Sequence, residues 1–189
     1  SYLIGDGVKA NISKAHSLFI TACDNGFAQA CVKMGDVYFH GLDVEKNIPK
    51  GVSLYELGCE KGIADSCRTL ANLHISGTEI ESHPNLKLKY ISKSCESGYL
   101  KHCVLKGDML SRNERSPRND TELIRVYRKA CEYKEYSGCL KLGVLYKEGV
   151  IVMQSLNQAA YILQKGCDGG HKPSCKELSK VQFLLYQGD

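Results

Sequence analysis

The sequence has no run of about 18 apolar residues, so no transmembrane helix is expected. Its first residues, Ser1 to Gly7, lack the basic stretch and apolar core of a secretory leader. Neither sign of charge dominates. Basic and acidic residues are interspersed, and a net charge of +4 is too mild and too scattered for a nucleic-acid footprint. Chemical motifs are equally scarce. There is no Ser-x-x-Lys to activate a serine for β-lactam chemistry. Gly-x-Ser-x-Gly, His-Glu-x-x-His and a phosphate-binding glycine loop are absent too. Of the histidines, His16, His40, His74, His83, His102 and His171, none is spaced three or four residues from another, so no helical metal face forms. Structural zinc needs four ligands at close spacings such as C-x2-C, which do not occur. No metal and no cofactor is expected.

Cysteine is what the chain does have. Its 10 cysteines fall into pairs of one form, a cysteine, seven residues and a second cysteine. The pairs are Cys23/Cys31, Cys59/Cys67, Cys95/Cys103, Cys131/Cys139 and Cys167/Cys175, each 36 residues after the last. A period this strict is the mark of a solenoid array, and an even count at fixed spacing reads as a disulfide framework. Reduced, buried thiols would not demand such regular pairing. Oxidised cysteines imply an exporting compartment, so the expected localisation is secreted or periplasmic, with the targeting segment trimmed away. Tyr2 falls in register with Tyr38, which places residue 1 inside an expected helix and truncates the first repeat. The expected domain is a single array over residues 1–189 with about five repeats.

Between the cysteine blocks two helical stripes recur. Ala15, Leu18, Phe19 and Ala22 correspond to Gly51, Leu54, Tyr55 and Gly58, and on to Ala159, Ile162, Leu163 and Gly166. The spacing i, i+3, i+4, i+7 marks one face of a helix, here called B. After each second cysteine comes a second stripe, helix A. Met34-Gly35-x-Val37-Tyr38 matches Leu70-Ala71-x-Leu73-His74 and Leu142-Gly143-x-Leu145-Tyr146. The copy Lys106-Gly107-x-Met109-Leu110 is looser and reads as drift. Helix B is expected at about 12–25, 48–61, 84–97, 120–133 and 156–169, and helix A at about 28–40, 64–76, 100–112, 136–148 and 172–185. Gly41, Gly77 and Gly149 suit left-handed caps after helix A, with Asn113 in the fourth copy. Arg112 to Asp120 reads as an exposed loop. Each B-to-A turn carries a glycine except Tyr133-Lys134-Glu135, which should be the most strained turn or differently shaped. His74 stands in a stripe position and should be packed, whereas the other histidines should be exposed.

The stripe Leu/Met-Gly-x-Leu/Val-Tyr, the glycine after it and the Ala-Cys-Asp or Gly-Cys-Asp block together resemble Sel-one-like repeats, a branch of the tetratricopeptide-type repeats. The C-x7-C block at a 36-residue period is similar to the Helicobacter cysteine-rich subfamily. The resemblance covers essentially the whole chain. It implies an all-α, right-handed α/α solenoid of disulfide-linked helix pairs, with A helices lining a concave face. It also implies secretion or a periplasmic place, and adaptor work in protein complexes, with some relatives described as penicillin-binding proteins or β-lactamases.

On that implied face the residues beside the A stripe would point into a groove. They are Gln29, Val32, Asp36 and His40, then Asp65, Arg68, Asn72 and Ser76, then Lys101, Val104, Asp108 and Arg112. Asp36, Asn72 and Asp108 share one register and would form a polar row. Arg68 and Asn72 match the basic residue and asparagine with which tetratricopeptide relatives grip a peptide backbone or terminal carboxylate. The expected function is therefore protein or peptide binding through Asp36, Arg68, Asn72, Asp108 and Arg112, by a monomer, as an exported adaptor or immunity protein. A hydrolase of the β-lactamase or penicillin-binding type is the alternative, and no catalytic residue is assigned.

Overall fold

A computed structural model describes residues 12–42, 44–112 and 116–187. The position of Tyr2 and the cap at Asn113 lie outside them. The described residues form helices without strands. The B helices are α1 (Ile12–Asp24), α3 (Ile48–Glu60), α5 (Pro84–Glu96), α7 (Pro117–Glu132) and α9 (Leu156–Asp168). The A helices are α2 (Ala28–His40), α4 (Ala64–Ser76), α6 (Leu100–Leu110), α8 (Tyr136–Glu148) and α10 (Lys172–Gln187). The alternation and spacing follow the sequence period, and the fold is that of disulfide-linked α/α repeats. The chain divides into two compact units, Ser1–Gly98 and Tyr99–Asp189.

In the first unit each helix from α1 to α4 packs on its successor. Small residues set how closely. A Cβ on Gly35 would lie 2.8 Å from the Tyr55 ring, and one on Gly51 would lie 2.8 Å from the Cβ of Phe39. Tyr55, Leu70, Ala71 and Ile91 are fully enclosed. Burial of a large apolar side chain stabilises by roughly 1.5–3 kcal/mol, so this stripe dominates the unit's stability. Pro84 opens α5 and Pro49 sits in the first turn of α3, where a missing N–H leaves no bond unmade. Asn47 caps α3 by accepting from the Lys50 N–H at 3.0 Å.

The second unit repeats the plan from α6 to α10. Leu123, Val126, Ala159, Leu163 and Val181 are its enclosed core. Helix α7 begins at Pro117, three residues earlier than the period indicates, so residues 117–120 are helical and not part of an exposed loop. The cause is local. Ser116 accepts from the Asn119 N–H at 3.2 Å as N-cap, and proline follows at the first helical position.

The B-to-A turns share one backbone. Phe27, Ile63, Glu135 and His171 each donate an N–H to the carbonyl five residues back, at 3.0, 2.9, 2.9 and 3.0 Å. This is the six-to-one bond of a Schellman ending, which needs a left-handed residue just before the donor. Gly26, Gly62 and Gly170 supply it in three turns and Lys134 in the fourth, at φ 68°. The turn without glycine therefore keeps the common shape and takes the strain. Helix A ends on left-handed Gly41, Gly77 and Gly149, each bonded to the carbonyl four residues back.

Across these turns the sulfurs meet. Cys23–Cys31 and Cys59–Cys67 are bonded in the first unit, with Cα atoms 4.7 Å apart. Cys131–Cys139 and Cys167–Cys175 are bonded in the second, at 4.6 Å. Cys95 and Cys103 are disulfide-bonded as well, and no described cysteine is free.

Candidate functional site

The A-helix residues singled out by their register divide into fixed and free groups. In the first unit Asp36 is held from two sides. The Tyr55 hydroxyl donates to its Oδ1 at 2.9 Å, and the Lys33 ammonium bonds its Oδ2 at 3.2 Å. Burial, reinforced by this carboxylate, pushes the Tyr55 hydroxyl pKa far above its ordinary value, so it donates throughout the physiological range. Arg68 on α4 pairs with Asp65, one turn earlier, at 2.7 Å. Asn72, one turn beyond Arg68 on the same helix, is exposed.

In the second unit Asp108 joins three helices. Its Oδ1 accepts from the Tyr127 hydroxyl of α7 at 2.7 Å and from the Lys141 ammonium of α8 at 2.8 Å. Burial, then the bond to Asp108, raises the Tyr127 pKa as well. Arg112 is exposed at the end of α6. The structure thus groups Asp36, Arg68 and Asn72 within one unit, and Asp108 with Arg112 within the other. Val32 and Val104, also expected in the groove, are buried. Val32 packs on Gly58 of the following B helix, whose missing side chain makes room for it.

Sequence reasoning missed the tyrosine partners, although the signal was present. Asp36 and Asp108 have tyrosines nineteen residues on, at Tyr55 and Tyr127. Asn72 and Val144, in the same register, have Ile91 and Leu163 there. The acid and the phenol come as a couple.

The looser copy of helix A is likewise compensated. Lys106 occupies the stripe place of Met34, Leu70 and Leu142 and is buried. Its ammonium bonds Glu122 at 2.6 Å. Glu122 also accepts from the Nε and Nη2 of Arg125, at 2.6 and 2.8 Å. Arg125 first, and Lys106 with it, hold the Glu122 carboxyl down at about 2.

His74 is packed as its stripe position implies. It is 4% exposed and stacks on Tyr90 with 5.2 Å between ring centroids. The Tyr90 hydroxyl donates to Glu56 at 2.5 Å. Burial lowers the His74 pKa, against the opposing pull of Glu56. His102 departs from expectation: it is buried, edge-on to Tyr99 at 4.5 Å. Its register is that of Ala30, Ser66, Gly138 and Ser174, all of which are enclosed. Among the described residues no cluster of His, Cys, Asp and Glu could hold a metal, and no helix is long and apolar enough to cross a membrane.

The Sel1 repeat model matches residues 1–27, 28–63 and 137–171, more than half of the sequence. The chain belongs to the Sel1 repeat family. Solved structures carry the same likeness. One is a protective antigen present in uropathogenic Escherichia coli strains with an SLR fold, at 23% identity and TM-score 0.67. That alignment covers 97% of this chain but only 39% of the antigen, so the Sel1 chain spans about two fifths of that relative's length. A Sel1 repeat protein from Oxalobacter formigenes aligns at 20% identity and TM-score 0.68, over 89% of this chain and 69% of the other. Helicobacter pylori cysteine rich protein B aligns at 26% identity and TM-score 0.51, over 70% and 96%. No curated protein matches.

Proposed function

We propose that this Sel1 chain is an exported adaptor that binds a protein or peptide along its A-helix faces. The observation that carries this reading is the pre-orientation of two carboxylates. The Asp36 and Asp108 side chains are 36% and 26% accessible, so each can still meet a partner. Each is also held by a buried tyrosine of the next helix. Binding usually costs the ordering of side chains at the interface, and a group already fixed avoids that cost. In the same unit as Asp36, Arg68, paired with Asp65, and exposed Asn72 offer a guanidinium and an amide one turn apart. A protein partner offers backbone N–H and C=O groups that such residues accept and donate to. The disulfide-bonded turns support an oxidising compartment, secreted or periplasmic.

Peptides selected on the oxidised chain from a random display library test this. Asn72→Arg is expected to weaken the selected peptides by about tenfold, as for a central interface residue. Tyr55→Phe and Tyr127→Phe each remove one of the two groups that hold an aspartate, leaving only the lysine on it, and should weaken binding several-fold. A library that yields no binder, or binders indifferent to all three changes, contradicts the proposal.

A further inference from the structure

The cleft bounded by α7, α8 and α9 repeats the cleft bounded by α3, α4 and α5, two periods earlier in the chain. The earlier cleft is filled from within. Tyr90 lies 2% exposed with its ring stacked on His74, and its hydroxyl reaches Glu56. In the later cleft the same three places hold Ile162, Tyr146 and Arg128. Isoleucine is shorter than tyrosine and has no polar tip, and the space the ring would occupy stays open. What remains is a cavity of about 310 Å³ whose lining includes Arg128, Glu132, Tyr146, Tyr161, Ile162 and Lys165. That volume is at the lower end of the roughly 300–1,000 Å³ typical of small-ligand sites.

The exchange of Glu56 for Arg128 also inverts the charge at the far end. An acid that accepted a phenol's hydrogen bond gives way to a guanidinium that can only donate. Arg128 has no hydrogen-bond or ion-pair partner among the described residues. Lys165 adds a second cation, its ammonium 4.6 Å from the Tyr161 ring centroid, against the one acid Glu132. Among the described residues no ring is stacked on Tyr146, whereas its counterpart His74 carries Tyr90.

We propose that this cleft binds an aromatic ring bearing a carboxylate. The ring stacks on Tyr146 as Tyr90 stacks on His74, and the carboxylate meets Arg128 where the Tyr90 hydroxyl meets Glu56. Offset ring stacking and a two-pronged guanidinium–carboxylate bond are the matching interactions. Two sources offer that chemistry, a free aryl-alkanoic acid and a peptide ending in phenylalanine or tyrosine. The site lies on the B-helix side of its unit and does not depend on the A-helix reading.

Calorimetric titration of the full oxidised chain decides it, with phenylpropionate, its amide, hexanoate and the peptide acetyl-Gly-Gly-Phe as a free acid and as an amide. At least one aromatic acid is expected to bind saturably, at least about tenfold more tightly than its amide or than hexanoate. Binding by phenylpropionate assigns a free acid, and binding by the peptide acid alone assigns a chain terminus. Arg128→Gln, at an exposed position, should weaken binding by about tenfold. Ile162→Tyr should abolish it by restoring the internal ring, with the melting temperature kept or raised. No saturable binding up to the solubility of the probes overturns the proposal. So does affinity that Arg128→Gln leaves unchanged, or that a folded Ile162→Tyr protein retains. Should Ile162→Tyr not fold, Arg128→Gln and the amide comparison decide alone.

Discussion

Lys134 stands at φ 68°, where Gly26, Gly62, Gly98 and Gly170 have φ of 83–97°. A Cβ at any of those glycines would meet nothing within 4 Å, so the fourth turn tolerates a side chain for lack of neighbours. The cost is in the backbone alone, about 1–2 kcal/mol for an L-residue in the left-handed region. Lys134→Gly should therefore stabilise the chain by about 1 kcal/mol, part of the relief being offset by glycine's greater freedom when unfolded. Urea denaturation without reductant measures this, and a loss of stability would show that the lysine side chain contributes more than its strain. This residue's oddity was legible from the period alone, because four of five turns supply glycine. The burial of His102 was missed because histidine was weighed by type, whereas its register with Ala30, Ser66 and Ser174 decides its place. The tyrosine partners of Asp36 and Asp108 escaped for a related reason. A stripe read one helix at a time shows which side chains face inward, but not which polar tips meet across helices.

At the scale of helices, element type and spacing followed from the 36-residue period, and the departures have local causes. Helix α7 starts early because Ser116 and Pro117 form a start signal of their own. Helix α6 stays packed despite a lysine in its apolar stripe because α7 supplies Glu122. That join is sensitive to acid. The folded state holds the Glu122 carboxyl at about 2, below the usual carboxylate value of 4.5. An unfolded chain thus takes up a proton here before the folded one does. The stability from this ion pair is fully present above about pH 4.5 and is lost as the pH falls toward 2. Glu122 is about one-quarter accessible and Arg125 about half, so solvent screening reduces the effect to roughly 2 kcal/mol. Glu122→Gln should lower stability at pH 7 and flatten its fall between pH 5 and pH 2. An unchanged acid profile in the variant would contradict the assignment. Histidine 74 acts in the same direction at a higher pH. Its lowered pKa means that the unfolded state is protonated first, so its contribution fades as the pH drops below about 6.5.

For the whole molecule, the recurring cost is that a repeat of two helices cannot bury its apolar face alone. A bridge across a nine-residue turn reduces the freedom of the unfolded chain, worth roughly 2.5 kcal/mol each in the chain-entropy model. Both units carry such bridges, and both keep the same turn backbone whether glycine or lysine stands in it. This is why the cysteine spacing, more than any apolar pattern, made the architecture readable. Function was less legible, because a repeat fixes what the units have in common, while binding is carried by how they differ. Asn72 against Asp36, or Arg128 against Glu56, gains meaning only once the shared frame shows which partner each has lost. The most direct test of the disulfide-stapled frame is peptide mapping by mass spectrometry, after digestion of the purified protein without reductant. The expected result is five links, each joining a cysteine to the one eight residues on. Free thiols, or links that skip from one turn to another, would contradict it.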